Sequence, residues 1–302
     1  MDSLQAVLYV YLFIVLGFLT KKIFGQKVDE KTLVVLSVYI FQPFLSFWGL
    51  LKRPIDLDLA MAPFIFFGLG VGVIVLNLFL AKWLFDDPKD RSIFIVSSVI
   101  GNTGNLGVPL GLALFGPESL PYTTIVNLAN VFMVYSFGAY FYSRGSFDPW
   151  QSVKNTIKLP ILWFALLAIW LNLLGFKPST QLDLFLQMGA FAAIVIQLMI
   201  FGFYLAKISF KLLDKKLVMA VVVMKFVVLP LVTFVVLQAL PLEPLAKKVI
   251  FMEMMVPLAV ANVNLAALYR CKELVVTSLV FITTLLFVPL LFVYTKIFDY
   301  LG

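Results

Sequence analysis

The stretch GNTGNLGVPLG, residues 101–111, puts four glycines, two asparagines and a proline in the middle of an apolar run. A helix in lipid tolerates such residues least. Pro109 cannot donate a backbone hydrogen bond, and Gly101, Gly104 and Gly107 allow conformations that a helix forbids. Irregular backbone in a bilayer persists only where it is buried in protein or lines an aqueous cavity. The stretch therefore predicts a span that unwinds near mid-membrane and serves a site. The start of a half-helix presents positive partial charge to a carboxylate, and freed carbonyls can hold a cation or water. A kink or a close helix contact is the plainer alternative for one such span alone.

Composition makes lipid the solvent. The chain has 302 residues, 62% hydrophobic and 13% charged, with a mean hydropathy of +1.04. Soluble domains lie near roughly 45–50% apolar and about 25% charged. There is no His and one Cys, Cys271, which excludes an intrachain disulfide, a Cys/His zinc site and a Ser-His dyad. All eleven Asp fall near span ends or in loops, against an aspartyl dyad. No enzymatic activity and no cofactor are expected. The net charge of +7 does not indicate nucleic acid, because the basic residues sit in short segments between apolar runs rather than on one soluble face.

At about 20 residues per crossing, ten candidate spans follow, at 4–21, 32–51, 60–85, 92–115, 120–142, 157–175, 185–207, 217–240, 246–269 and 275–298. The first carries no preceding basic residue and no cleavage site, so it reads as a retained helix. Of the 23 Lys and Arg, 16 follow odd-numbered spans, six follow even-numbered spans, and Lys225 lies inside a span. The positive-inside bias makes the odd loops cytoplasmic and places both termini outside a multi-pass cell (inner or plasma) membrane protein.

The polar segment YSRGSFDPWQSVKN, 142–155, leaves five spans on each side. Five is odd, so a repeated half would be inverted. The expected units are a first five-helix repeat at 1–145, a cytoplasmic linker at 146–156, and a second, inverted repeat at 157–302. The ninth span, MEMMVPLAVANVNLAALY at 252–269, mirrors the fourth with a proline and two asparagines. Superposing Pro109 on Pro257 sets Asn105 on Glu253 and Asn77 on Lys225. The candidate substrate site comprises Asn102, Thr103, Asn105, Pro109, Pro257, Asn262 and Asn264, with Asn130 lining the route from the fifth span. Asn127, three residues earlier, shares its helical face.

Glu253 and Lys225 are the ionisable residues deep in apolar spans, and such residues are functional hypotheses by default. With Asn77 they form a candidate coupling site. Lys225 could stand as a tethered cation, or either residue could carry a proton. A structural ion pair, or a snorkelling Lys225, is the competing reading.

At these residues the sequence resembles the auxin efflux carrier family, which includes plant auxin exporters and bacterial carriers for malonate and related acids. GNTGNLGVPLGLALFG (101–116) is close to the family's fourth-helix signature, PLAVANVNLAALY (257–269) to its ninth, and SLVFITTLLFVPLL (278–291) to its last. Pro43, Pro160 and Gly175 also fit. The resemblance implies an all-α integral membrane protein of ten helices in two inverted repeats, with broken helices four and nine crossing at the prolines. It implies a scaffold of helices 1, 2, 6 and 7 and a transport unit of helices 3–5 and 8–10, moving as an elevator. It also implies a scaffold-mediated homodimer and small organic anions as substrates, carboxylates such as malonate or auxin-like acids. The short middle loop fits a bacterial-type member. One departure is AAIVIQLM (192–199), which has Val195 and Gln197 where the family tends to place a proline.

The expected function is a secondary active transporter, with coupling to protons or sodium left open. Its rival is a sodium-coupled bile-acid-type symporter, which shares the inverted-repeat fold and would require acidic and polar sodium ligands at the crossover. Here the one acid, Glu253, is accompanied by Lys225. A channel or receptor is the more distant alternative.

Overall fold

Acids and prolines set the helix starts. Asp29, Asp87, Asp148, Ser179 and Asp214 each accept a hydrogen bond from a first-turn amide, satisfying donors that a helix start leaves free. Pro88, Pro149, Pro160 and Pro244 occupy the first helical turn, where a missing N–H costs nothing. Gly116 and Gly175, at φ +80° and +74°, turn the chain after helices in the left-handed region that other residues avoid.

The computed structural model describes residues 2–51, 61–207 and 214–301, excepting the side chains of 2–11, Pro109 and Pro117. Lys52, Arg53 and Lys211 of the charge count lie outside the described residues. The regular structure described is helical: α1 (Asp2–Phe24), α2 (Glu30–Leu51), α3 (Met61–Leu84), α4 (Pro88–Ser97), α5 (Thr103–Phe115), α6 (Leu120–Arg144), α7 (Pro149–Ile157), α8 (Pro160–Leu173), α9 (Thr180–Leu205), α10 (Lys215–Ala239), α11 (Pro244–Met255), α12 (Ala261–Leu268) and α13 (Glu273–Tyr300). Six of these, α2, α3, α6, α9, α10 and α13, are long and apolar enough to cross a bilayer; α7 and α8, bent by 51° at their junction, together make up to a seventh. Large apolar side chains such as Phe64, Trp83, Met188 and Phe292 face outward, while Asn77, Lys225, Glu253 and Asn262 are wholly enclosed. That distribution suits a protein whose solvent is lipid.

The fourth span is broken, but upstream of Pro109. It divides into α4 and α5 at residues 98–102, and the ninth divides into α11 and α12 at 256–260. The two breaks pair with each other. Asn102 N–H donates to the Pro257 carbonyl at 2.8 Å and Ala259 N–H to the Ile100 carbonyl at 3.0 Å, a two-bond antiparallel bridge that sets Gly101 opposite Leu258. The bridge thus aligns the breaks by Gly101 and Leu258, not by Pro109 and Pro257.

Pro109 does something different. A wide π-helical turn, Thr103–Gly107, precedes it, and the same arrangement recurs at Ser37–Phe41 before Pro43 and at Met224–Val228 before Pro230. A proline ring clashes with the carbonyl four residues earlier, and widening that turn relieves the clash without ending the helix. A fourth such turn, Val134–Gly138, contains a glycine instead. The 146–156 linker is also more ordered than its polarity implies: most of it is α7, started by Asp148 and Pro149 and tied back by Asn155 Nδ2 donating to Ser143 Oγ at 2.9 Å.

Two apolar clusters hold the helices. The larger runs through most of the molecule, and a smaller one joins the end of α2 to α8 and α9 through Leu50, Leu51, Ala165, Ala168 and Leu186. At one end of the fold, Lys272 Nζ meets Asp87 at 2.8 Å and Asp90 at 2.6 Å, and Lys89 Nζ donates to the Arg270 carbonyl at 2.8 Å. This clasp joins the start of α4 to the α12–α13 turn, and Lys272 holds the Asp87 carboxyl below the usual carboxylate range.

Helices α1 and α9 approach through glycines. A Cβ at Gly17 would collide with the Met199 carbonyl and one at Gly202 with the Ile14 carbonyl, and backbone contact of this kind is how helices associate in lipid. Gly202→Leu is expected to cost about 1–3 kcal/mol through overpacking. It should lower the thermal midpoint of the detergent-solubilised protein by several degrees. Gly68→Leu, where a Cβ meets nothing within 4 Å, should leave the midpoint unchanged; equal losses from both variants would refute this account of the interface.

Candidate functional site

Beyond the bridge, the helix after each break starts with unmet amides: Val260 and Ala261 N–H find no acceptor among the described residues at the start of α12, and neither does a longer run at the start of α5. Leu106 and Gly107 N–H both donate to the Asn102 carbonyl, at 3.1 and 3.0 Å. The N–H groups of Thr103, Gly104 and Asn105 find no acceptor among the described residues. Together they give α5 an unsatisfied, positive N-terminal end.

A cavity of about 390 Å³ lies against this end. Asn102, Thr103, Asn105, Asn127 and Asn130 form part of its wall, and Gln42, Trp48, Ile194 and Gln197 from α2 and α9 line it as well. Gln42 Nε2 donates to Gln197 Oε1, so these two amides make one polar patch. Ser46, Thr124 and Tyr135 add hydroxyl groups to a lining that is otherwise largely apolar, and no Asp, Glu, Lys or Arg is among the described residues that line it.

The asparagines divide by role. Asn130 Nδ2 donates to the Gly101 carbonyl at 2.8 Å and to Thr103 Oγ1 at 2.9 Å, while Thr103 Oγ1 donates to Asn127 Oδ1 at 2.7 Å. These groups hold the break open as well as line the cavity. Asn105 is half-buried and has no side-chain hydrogen bond among the described residues, so its amide is available to a ligand. Asn262 lies behind the wall, donating to the Ile100 and Ala259 carbonyls at 3.1 and 2.9 Å and accepting from Tyr142 Oη at 3.0 Å. Pro257 contributes its carbonyl to the bridge and does not line the cavity. Asn264 is buried, with neither amide atom partnered among the described residues, and is not part of the lining. Pro109 sits in the helical part of α5.

Asn77, Lys225 and Glu253 are brought to the breaks rather than to the cavity. Asn77 Nδ2 donates to the Phe94 and Ile95 carbonyls at 3.3 and 3.0 Å and to Ser98 Oγ at 3.1 Å, capping the end of α4. Lys225 Nζ donates to the Met254 carbonyl at 3.0 Å, capping the end of α11. The Glu253 carboxylate presses on α5, since a Cβ at Gly107 would overlap it, and among the described residues neither of its oxygens has a hydrogen-bond partner, Lys225 included. Trp48, Thr124 and Tyr135 also line the cavity and carry no polarity signal within an apolar run. The wide turn at Val134–Gly138, which places Tyr135, is the one structural mark that accompanies them.

Asn105→Ala should leave the thermal midpoint within a degree or so of the parent, because no protein hydrogen bond is lost. Its ligand affinity should fall about tenfold, the worth of one well-placed hydrogen bond. Asn130→Ala, which orphans the buried Gly101 carbonyl, should lose about 1–3 kcal/mol of stability as well. Thermal denaturation with and without ligand separates the two, and a destabilised Asn105→Ala would refute the division.

The family described as "membrane transport protein" matches residues 2–152, half the chain, from α1 into α7. An uncharacterized transporter of Methanocaldococcus jannaschii is 29% identical over 296 residues, covering 94% of this chain and 95% of that one. With the fold and the capped, bridged breaks in place, these similarities settle membership: the chain belongs to the membrane transport protein family, that of the auxin efflux carriers.

Proposed function

We propose that the chain is a secondary carrier for a monovalent organic acid with an apolar body, working by alternating access with its site in the cavity at the paired breaks. The observation that carries this reading is the lining of that cavity. It offers the N-terminus of α5, worth about half a positive charge, and a set of neutral amides. Among the described residues it offers no cationic side chain. One carboxylate is matched by such a field. A short dicarboxylate such as malonate would bring two adjacent charges, which proteins usually meet with Arg or Lys. Of the two substrate types implied by the family resemblance, the auxin-like acid therefore fits better, its body against Trp48 and Ile194 and its far end at the Gln42–Gln197 pair.

The larger frame belongs to the same proposal. Counting α4 with α5, α7 with α8 and α11 with α12 gives ten crossings, and the basic-residue bias puts both termini outside. An inverted repeat is supported by the reciprocal bridge and by Asn77 capping α4 as Lys225 caps α11. The separate apolar cluster of α2, α8 and α9 supports a scaffold against which an elevator moves, and through which two copies would pair.

The test is transport in proteoliposomes, by uptake of labelled acids and by current on a solid-supported membrane. Indole-3-acetate or a similar aromatic monocarboxylate should be carried, with malonate and malate at least about tenfold weaker as competitors. Thr124→Asp, which puts a carboxylate into the lining, should depress uptake by roughly tenfold or more through like-charge repulsion. A preference for dicarboxylates, or indifference to the added charge, would overturn the assignment.

A further inference from the structure

The transport reading gives α7 (Pro149–Ile157) no role. The helix is amphipathic, but the wrong way round for water. Its polar side faces the protein. Ser152 is buried and its Oγ donates to the Asp148 carbonyl at 2.9 Å, Gln151 Nε2 donates to Asn155 Oδ1 at 2.9 Å, and Asn155 Nδ2 donates to Ser143 Oγ at 2.9 Å. Tyr269 Oη, just after α12, donates to the Asn155 carbonyl at 3.4 Å. These bonds fix which side of α7 turns outward.

The outward side is aromatic, aliphatic and basic. Trp150, Lys154 and Ile157 are spaced four and three residues apart, so they share one helical face. All three are exposed, Trp150 by 67%. Phe147 and Lys158, both exposed, extend that face at either end. Lys154 Nζ stands 5.4 Å from the centre of the Trp150 ring, and Arg144 Nη1 donates to the Phe147 carbonyl. On a helix in water, Trp, Phe and Ile would form the buried side. At the edge of a bilayer, the rings and aliphatic stems enter lipid while the ammonium groups stay among the headgroups.

The position of α7 is such an edge. It follows α6, which is long and apolar enough to cross, and it meets α8 at 51°. The connection from α6 packs on the start of α4, where a Cβ at Gly145 would lie 3.4 Å from Lys89 Cα. Two further tryptophans stand nearby in the chain's path. Trp163, in the first turn of α8, is exposed, and its indole N–H donates to the Ile157 carbonyl at 2.7 Å; Trp83, exposed too, ends α3 just before the start of α4. Tryptophan collects at the membrane–water boundary. Charge points the same way. Residues 142–158 hold Arg144, Lys154 and Lys158 against one acid, Asp148, and that carboxylate is taken up in capping α7.

We infer that the outward face of α7 is a docking surface for anionic phospholipid, with Lys154 and Lys158 on the headgroup phosphates and Phe147, Trp150 and Ile157 among the upper acyl chains. A zwitterionic headgroup carries its own cation and gains little from two lysines, whereas an anionic leaflet gains from each. The surface anchors the junction between the two halves of the chain at the membrane boundary, whatever substrate the cavity takes.

The experiment reconstitutes the full-length protein in vesicles of equimolar phosphatidylcholine and phosphatidylglycerol, with bromines placed high on the acyl chains of one lipid or the other. Quenching of Trp150 fluorescence, taken as parent minus Trp150→Phe, reads which lipid gathers there. Brominated phosphatidylglycerol should quench it at least about twice as strongly as brominated phosphatidylcholine. Lys154→Gln combined with Lys158→Gln should remove the preference. Lys215→Gln combined with Lys216→Gln, which removes two exposed lysines from the start of α10, should keep it. The substituted side chains are all exposed, so each variant should keep the parent's thermal midpoint. Equal quenching by the two lipids, quenching by neither, a preference that survives loss of Lys154 and Lys158, or one lost equally in the α10 variant would each overturn the inference.

Discussion

Two backbone hydrogen bonds, Asn102 to Pro257 and Ile100 to Ala259, let the chain abandon helical pairing twice at one place inside an apolar body. Each break removes several amides and carbonyls from their helical partners, and in a medium without water every orphan costs several kcal/mol by common measures. The molecule meets much of that demand from within. The bridge serves two groups from each break, Asn130 and Asn262 take the Gly101 and Ile100 carbonyls, Thr283 Oγ1 accepts from Leu258 N–H, and Asn77 and Lys225 take the ends of α4 and α11. Among the described residues the amides without an acceptor include the first ones of α5, which adjoin the cavity, and those of Val260 and Ala261 at the start of α12. What the breaks leave unmet is thus gathered at the helix starts that border the cavity.

The prolines and wide turns set where those partners stand. A π-helical turn shifts the register of everything beyond it by about a hundred degrees around the helix axis relative to an unbroken helix. Three of the four wide turns lie two residues before a proline, and all four border the site or its supports: one precedes Gln42, one is the α5 start itself, one bears Tyr135, and one bears Lys225. Side chains that would otherwise follow a regular helical stripe are re-aimed toward the crossover in this way.

This also decides what could be read from the sequence. Hydropathy placed the long helices closely, the third span at 60–85 against Met61–Leu84, because burial in lipid is a property of composition over about twenty residues. The presence of breaks in the fourth and ninth spans was legible from their Gly, Pro and Asn content. Their position was not. Pro109 and Pro257 look alike as letters, but one lies inside a helix behind a wide turn and the other lies in the bridge. Asn105 and Asn130, singled out by their polarity, line the cavity, whereas Asn262, equally polar, is committed to carbonyls and to Tyr142, a partner 120 residues away. Trp48 and Tyr135 read as ordinary lipid-span residues until the fold turns them inward.

Among the described residues the cavity carries no charged side chain, so a ligand there would be held by dipoles alone. On the carrier reading proposed above, a monovalent anion would then cross with its charge uncompensated, and an inside-negative membrane potential would favour its exit by about 2.3 kcal/mol for each 100 mV. Arginine or lysine in the lining would have screened that charge and weakened the dependence on potential; neutral amides and a helix end leave it in place.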